Sequence, residues 1–171
     1  ASGLAVGGRE PEGGTVAASL STTATLEGDH YVVHGQKIWT SRAEHSDLMI
    51  ILARTSAMDE GAKRTDGLSV LLLDMRGAKG LTIRPIRTMI NHATTEIFFD
   101  NLPIPADALV GEEGKGFRYI LDGMNAERIL IGAECIGDAR WFIGKATDYA
   151  CEREVFGRPI GKNQGIQFPI A

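Results

Sequence analysis

The spacing of apolar positions changes character near residue 110, and that change divides the chain. Upstream, apolar residues come in short runs separated by turn formers. Residues 20–26 and 31–33 flank Glu27-Gly28-Asp29-His30, where Gly28 and Asp29 suit the positive φ of a tight hairpin. His34-Gly35-Gln36 reads as a second turn, leading into an extended segment from Lys37 to Ser41. Residues 48–53 and 68–73 are continuous apolar runs of strand length, the pattern of strands covered on both faces. The polar stretch 55–66 between them reads as an exposed loop. Residues 81–89 and 96–99 supply further strands. Pro103 and Pro105 are expected to end the run, because proline cannot donate to a ladder.

After Gly111-Glu112-Glu113-Gly114-Lys115-Gly116 the period becomes helical. Phe117, Ile120, Leu121 and Met124 fall at three- and four-residue spacings. Ile131, Cys135, Ala139, Phe142, Ala146 and Tyr149 continue one apolar stripe. The predicted fold class is therefore α+β: a small antiparallel β-barrel or sandwich over residues 1–112, then the start of an α-helical bundle domain over 113–171. Such a stripe needs a partner, and both ends of the chain read as cut, so the helical domain is expected to be truncated.

Composition narrows the classes. The 171 residues carry a formal net charge of −4 and a pI near 5.6. With no excess of positive charge to neutralise phosphates, nucleic acid is not an expected partner. No apolar run has bilayer length and the N-terminus lacks a signal-peptide pattern, so the protein is expected to be soluble and cytoplasmic, without a membrane partner. Cys135 and Cys151 are too sparse for a disulfide framework and lack neighbours that would ligate zinc. They read as buried thiols, and no metal site is expected.

Several segments invite a chemical reading. Gly8 through Thr15 approaches a phosphate-binding loop but lacks its lysine and contains Pro11. Gly111 to Gly116 lacks the strand-glycine-helix order of a dinucleotide fingerprint and reads as an interdomain turn. In an extended Lys37 to Ser41, Trp39 and Ser41 share a face. An indole wall beside a hydroxyl suits a flat heteroaromatic ring; the same pair also fits a core tryptophan next to a surface serine. Glu127 on the long helix is a solvated carboxylate, or, if desolvated in a cleft, a base. Arg153 and Phe156 suit a phosphate clamp and a stacking ring, or equally a surface ion pair and a core anchor. Arg84, Arg87 and His92 read as solvated strand positions.

Taken together, four segments resemble the acyl-CoA dehydrogenase family over essentially the whole chain. Glu10-Pro11 with Gly14-Thr15 is similar to the family's Thr-Glu-Pro-x-x-Gly-Ser-Asp loop. Gly35-Gln36-Lys37-Ile38-Trp39-Thr40-Ser41 resembles its Asn-Gly-x-Lys-x-Trp-Ile-Thr segment. Phe99-Asp100-Asn101-Leu102-Pro103-Ile104-Pro105, followed by Gly111 to Phe117, is similar to its domain-crossing segment. Glu152-Arg153-Glu154-Val155-Phe156-Gly157-Arg158-Pro159-Ile160, with Gln164, resembles its Arg-x-x-Phe-Gly signature.

The resemblance implies FAD as cofactor and α,β-dehydrogenation of an acyl-CoA thioester. It places Trp39 against the flavin, Ser41 near its reactive edge, and Thr15 where a loop serine touches flavin phosphate and substrate. Arg153, Phe156 and Gln164 match residues that reach the FAD of a neighbouring subunit, implying a homodimer or homotetramer. Asn125 and Arg128 match positions holding the CoA-ester side of the substrate, although aspartate is frequent where Asn125 stands. Glu127 falls where isovaleryl- and long-chain-type members carry the catalytic base; most members use a glutamate from a later loop. Electron-transferring flavoprotein is the implied acceptor, and fatty-acid β-oxidation the implied setting. Arg9 departs from the pattern, standing where the loop threonine is expected. Oxygen-using relatives of the same fold, acyl-CoA oxidases and flavin monooxygenases, are the alternatives within the fold. A non-catalytic acyl-CoA- or FAD-binding homologue is the alternative outside catalysis.

Overall fold

Backbone pairing in the computed structural model, which describes residues 3–14, 19–57, 61–89 and 93–171, gathers the first part of the chain into one mixed sheet. Its strands are β1 (Leu4–Gly7), β2 (Thr23–Glu27), β3 (His30–Ser41), β4 (Leu48–Arg54), β5 (Leu68–Asp74), β6 (Leu81–Pro85), β7 (Thr94–Pro105) and β8 (Leu109–Val110). They lie in the order β6-β7-β3-β2-β4-β5-β8, with β1 beside β4 off that path. The path does not return on itself, so of the two forms expected, barrel or sandwich, the sheet is not a closed barrel. Nor is it wholly antiparallel: β1 runs parallel to β4, and β2 meets β4 in parallel through the pair Thr23 and Arg54.

The two halves of the sheet share one core. Tyr31, Val33, Ile97, Phe99, Leu102 and Ile104 from β3 and β7 pack with Met49, Ile51, Leu71 and Leu73 from β4 and β5. The opposite faces of β4 and β5 are covered as well. Leu52, Leu68 and Val70 cluster with Leu20, and Phe117, Tyr119 and Ile120 pack against them. Burial on both faces explains why these strands read as unbroken apolar runs, where a half-exposed strand alternates.

Besides the strand expected over residues 81–89, which ends at Pro85, three local features differ from the sequence reading. Gly28 takes φ 64 but Asp29 does not follow it into the left-handed region. The pair Glu27 and His30 closes a two-residue loop in which only the first central residue needs positive φ. Gly35 is not a turn: β3 runs straight through it. The irregularity lies opposite, because Val33 pairs with Leu102 and Gly35 with Phe99, so β7 advances three residues against two. Asn101 absorbs the extra residue at φ 50. Gly35 is required there because a Cβ would lie 2.6 Å from Thr22 Oγ1.

The third difference is that β7 continues through both prolines to Pro105. Pairing with β6 ends at Phe99, whereas pairing with β3 continues to Pro105. Beyond Phe99 the strand is therefore an edge. Ala106 N–H donates to the Asp29 carbonyl, so the alternate positions Pro105 and Pro103 direct their missing donors to the side that β6 no longer reaches.

The turn into the helix is pinned to β5. Gly114 N–H donates to Ser69 Oγ at 2.8 Å, and Ser69 Oγ bonds Thr55 Oγ1 at 2.7 Å. Helix α1 then runs Gly116–Glu152. A Cβ on Gly116 would lie 2.6 Å from the Ser69 carbonyl carbon, so the chain passes this point only as glycine.

The chain divides into two compact units, residues 1–122 and 123–171. The second holds the rest of α1, the hairpin of β9 (Glu154–Val155) and β10 (Arg158–Pro159), and α2 (Gln164–Ile170). Ile131, Phe142 and Tyr149 on the expected stripe are exposed, and so are Leu130 and Trp141, which fall well off that stripe at 3.6 residues per turn. Apolar residues on more than one flank are the mark of a helix surrounded by others. Cys135 and Cys151 are exposed rather than buried, because Ala150 is the one buried residue described between 123 and 152. Among the described residues no helix is long and apolar enough to cross a membrane.

Candidate functional site

Tyr31, Val33 and Lys37 face the core from β3, an odd-numbered series that strict alternation would continue through Trp39 and Ser41. A uniformly extended strand would thus bury the indole. It does not, because the register slips: Lys37 pairs with Ile97 and Thr40 with Thr95, so β3 advances three residues against two on β7. The extra residue is taken up at Trp39, whose φ is 60. Thr40 becomes the inward residue, at 2% exposure, while Trp39 is 56% exposed and Ser41 is exposed beyond it. The indole and the hydroxyl share the outer side, as expected, but through a bulge rather than through alternation.

A bulky residue in the left-handed region costs about 1–3 kcal/mol and persists only where its surroundings over-determine it. Here they do. Ile38 N–H donates to the Arg9 carbonyl at 2.9 Å, Thr95 Oγ1 donates to the Thr40 carbonyl at 2.8 Å, and Arg42 N–H donates to the Ala93 carbonyl at 2.7 Å. Arg42 is itself left-handed at φ 61. The Thr40 hydroxyl is buried without a hydrogen-bond partner among the described residues. Thr40→Val keeps the shape and removes the unsatisfied group, so it is expected to raise stability by about 1–2 kcal/mol in denaturant unfolding.

Just upstream lies the most buried charge pair among the described residues. Lys37 is 0% exposed and Glu10 4%. Lys37 Nζ donates to Glu10 Oε1 at 2.7 Å and to the Leu52 carbonyl at 2.6 Å. Glu10 also accepts from Ser21 N–H at 2.6 Å, Ser21 Oγ at 2.7 Å and Thr22 N–H at 3.0 Å. Desolvation acts against both charges. Burial pushes the Lys37 ammonium below its ordinary value, although Glu10 pulls it back up. Burial would likewise raise the Glu10 carboxyl, but the Lys37 charge and the donors from Lys37, Thr22 and Ser21 overcome it and hold the group at about 2. The carboxylate collects more partners than the ammonium, which is why its compensation wins.

Because the Glu10 value is depressed, its contribution to stability is present above the ordinary value of 4.5 and is lost as pH falls from there through about 2. The urea midpoint is expected to drop across that window, and Glu10→Gln to flatten the drop.

The remaining expected site residues fall in both units or outside the described residues. Thr15 and His92 lie outside the described residues. Arg9 is exposed, its backbone tied beside the bulge. The Arg84 guanidinium stacks 4.7 Å from the Phe98 ring centroid on the outer side of the sheet. In the second unit, Asn125, Glu127 and Arg128 are exposed on α1, and Arg128 Nη1 donates to Asn125 Oδ1 at 2.9 Å. Arg153 and Gln164 are exposed, and Phe156 is fully so at φ 55. The residues that sequence reading missed are Lys37 and Glu10 as a pair. The signal was available, since Lys37 sits on the inward parity of Tyr31 and Val33, where an ammonium requires a carboxylate.

Comparison with known proteins bears on the whole chain. The family model "Acyl-CoA dehydrogenase, middle domain" matches residues 5–102, and "Acyl-CoA dehydrogenase, C-terminal domain" matches residues 114–171. The short-chain specific acyl-CoA dehydrogenase of Clostridium acetobutylicum is 34% identical over 98% of this chain and 44% of its own length. The acyl-CoA dehydrogenase structure from Geobacillus kaustophilus superposes with a TM-score of 0.82 at 32% identity, over 98% of this chain and 44% of that one. A chain of the structure described as "Electron transferring flavoprotein of Acidaminococcus fermentans" gives 0.76 at 32% identity, over 98% of this chain and 43% of that one. This chain therefore spans less than half the length of the curated relatives it matches.

Proposed function

Because the chain belongs to the acyl-CoA dehydrogenase family, we propose that it forms the middle β domain, residues 1–112, and the beginning of the C-terminal helical domain, residues 113–171, of an FAD-dependent enzyme that desaturates an acyl-CoA thioester. The observation that carries this reading is the exposed indole of Trp39, with Ser41 exposed two residues on, held there by a strained bulge. A fold that needed only stability would bury that indole along the unbroken strand. This donor set fits a flavin: an aromatic face for a flat ring and a neutral hydroxyl to bond its edge. When bound, FAD would supply the acceptor for the β hydrogen and its electron pair.

The chain's own residues do the rest. Trp39 and Ser41 would orient the ring, and Thr15, by the family resemblance, would serve its phosphate side. Asn125 and Arg128 hold the CoA-ester side of the substrate. Glu127 takes the α proton, whose acidity rises as the thioester oxygen gains hydrogen bonds. Arg153, Phe156 and Gln164 would reach the FAD of a neighbouring subunit, which would make a homodimer or homotetramer the working form. Electron-transferring flavoprotein is the acceptor, fatty-acid β-oxidation the setting and the cytoplasm the compartment. The visible spectrum of the full-length protein, recorded before and after a panel of acyl-CoAs, tests this. Bleaching of a bound flavin by at least one of them is expected, and a protein that binds no flavin refutes it.

A further inference from the structure

We propose that the buried Lys37–Glu10 pair is a positioning clamp that holds the Trp39 bulge outward and so shapes the flavin slot, an inference that rests on the FAD reading above. One carboxylate joins three places: the loop at Glu10, the entry to β2 at Ser21 and Thr22, and β3 at Lys37. Through the Leu52 carbonyl the same ammonium reaches β4. Backbone pairing adds a second tie, because Arg9, next to Glu10, accepts from Ile38, next to Lys37. Two neighbours in the loop thus grip two neighbours in the strand, and Trp39 is the next residue.

The far side of the bulge is fixed by Thr95 on the Thr40 carbonyl. Between these anchors β3 must fit one residue more than β7, and Trp39 turns left-handed to do it. The fit around the lysine stem is close, since a Cβ on Gly7 would lie 3.3 Å from Lys37 Cγ and 3.4 Å from Met49 Sδ. A buried ion pair is weak evidence for stability, because apolar replacements of similar volume often serve as well. Its worth here is geometric. Lys37 and Glu10 are positioning residues, acting on the cofactor through Trp39.

The test is the double variant Lys37→Met/Glu10→Gln of the intact protein in a background where Trp141, and any tryptophan of the full-length protein outside these residues, is replaced by phenylalanine, so that Trp39 alone reports. Both charges leave together, so unfolding is expected near the parent's midpoint. In the apoprotein, acrylamide quenching of Trp39 should change, and the Kd for FAD should rise by at least about tenfold, the scale of a small misplacement, with a displaced visible band of bound flavin. A folded double variant with unchanged quenching and unchanged FAD affinity overturns the clamp. Should it not fold, Gly7→Ala takes its place, pushing the lysine stem while keeping both charges. A few-fold weaker FAD affinity supports the clamp there, and an unchanged one overturns it. A parent protein that holds no FAD defeats the functional reading instead, whereas the apoprotein quenching still reports on the clamp.

Discussion

Lys37→Met is expected to destabilise the sheet unit by about 3–5 kcal/mol, the range found when one partner of a buried ion pair is removed. The loss comes from what stays behind. Glu10, at 4% exposure, would keep its charge with only Ser21 and Thr22 as donors, and the Leu52 carbonyl would lose its ammonium. Without Lys37 only the Ser21 and Thr22 donors offset the desolvation of the carboxylate, so the group protonates more readily. The deficit against wild type should therefore shrink as pH falls through the ordinary carboxylate range. Urea unfolding at neutral pH and near pH 4 checks both points. A neutral-pH deficit below about 1 kcal/mol, the worth of an exposed pair, would show that the charges are not desolvated.

Glu127→Gln is expected to slow bleaching of the flavin by acyl-CoA by about 10²–10⁴-fold, the usual share of a positioned base, while FAD binds as before. Glutamine keeps the size and hydrogen-bonding reach of the side chain but cannot accept the α proton. Asn125 and Arg128 hold each other across one turn of α1 whether or not residue 127 is charged, so substrate positioning should survive. Stopped-flow absorbance with saturating substrate separates the outcomes. An undiminished rate would move the base to a residue elsewhere in the full-length protein.

What could be read from the sequence follows from how local its cause is. The apolar runs of β4 and β5, the glycine turn at residue 28 and the onset of α1 at Gly116 each express a pattern within a few neighbouring residues. Where a second strand decides, the reading failed. Gly35 looks like a turn until Thr22 and the extra residue of β7 are placed opposite it. Pro103 looks like a terminator until β6 is seen to stop short. That Trp39 and Ser41 share a side held for an incomplete reason, because alternation relates Trp39 to Ser41 but also relates both to the buried Lys37. Only the slip against β7 separates them. The inward parity of Lys37 calls for a carboxylate, but periodicity does not say which one, because Glu10 lies 27 residues away. Cys135 and Cys151 were misjudged because the helix that bears them buries almost nothing within its own unit.

At the tip of the second unit's hairpin, Val155 pairs with Arg158 around Phe156 and Gly157, whose φ values are 55 and 74. Two consecutive left-handed residues make the turn that favours Asn-Gly. Phe156 therefore occupies a position asparagine would fill with less strain, and its ring, fully exposed, gains no packing within the chain to offset it. Loop stability and ring presentation pull in opposite directions at this one residue. Exchanging it for asparagine would let the hairpin close more readily while deleting the aromatic surface, so the two properties can be measured apart.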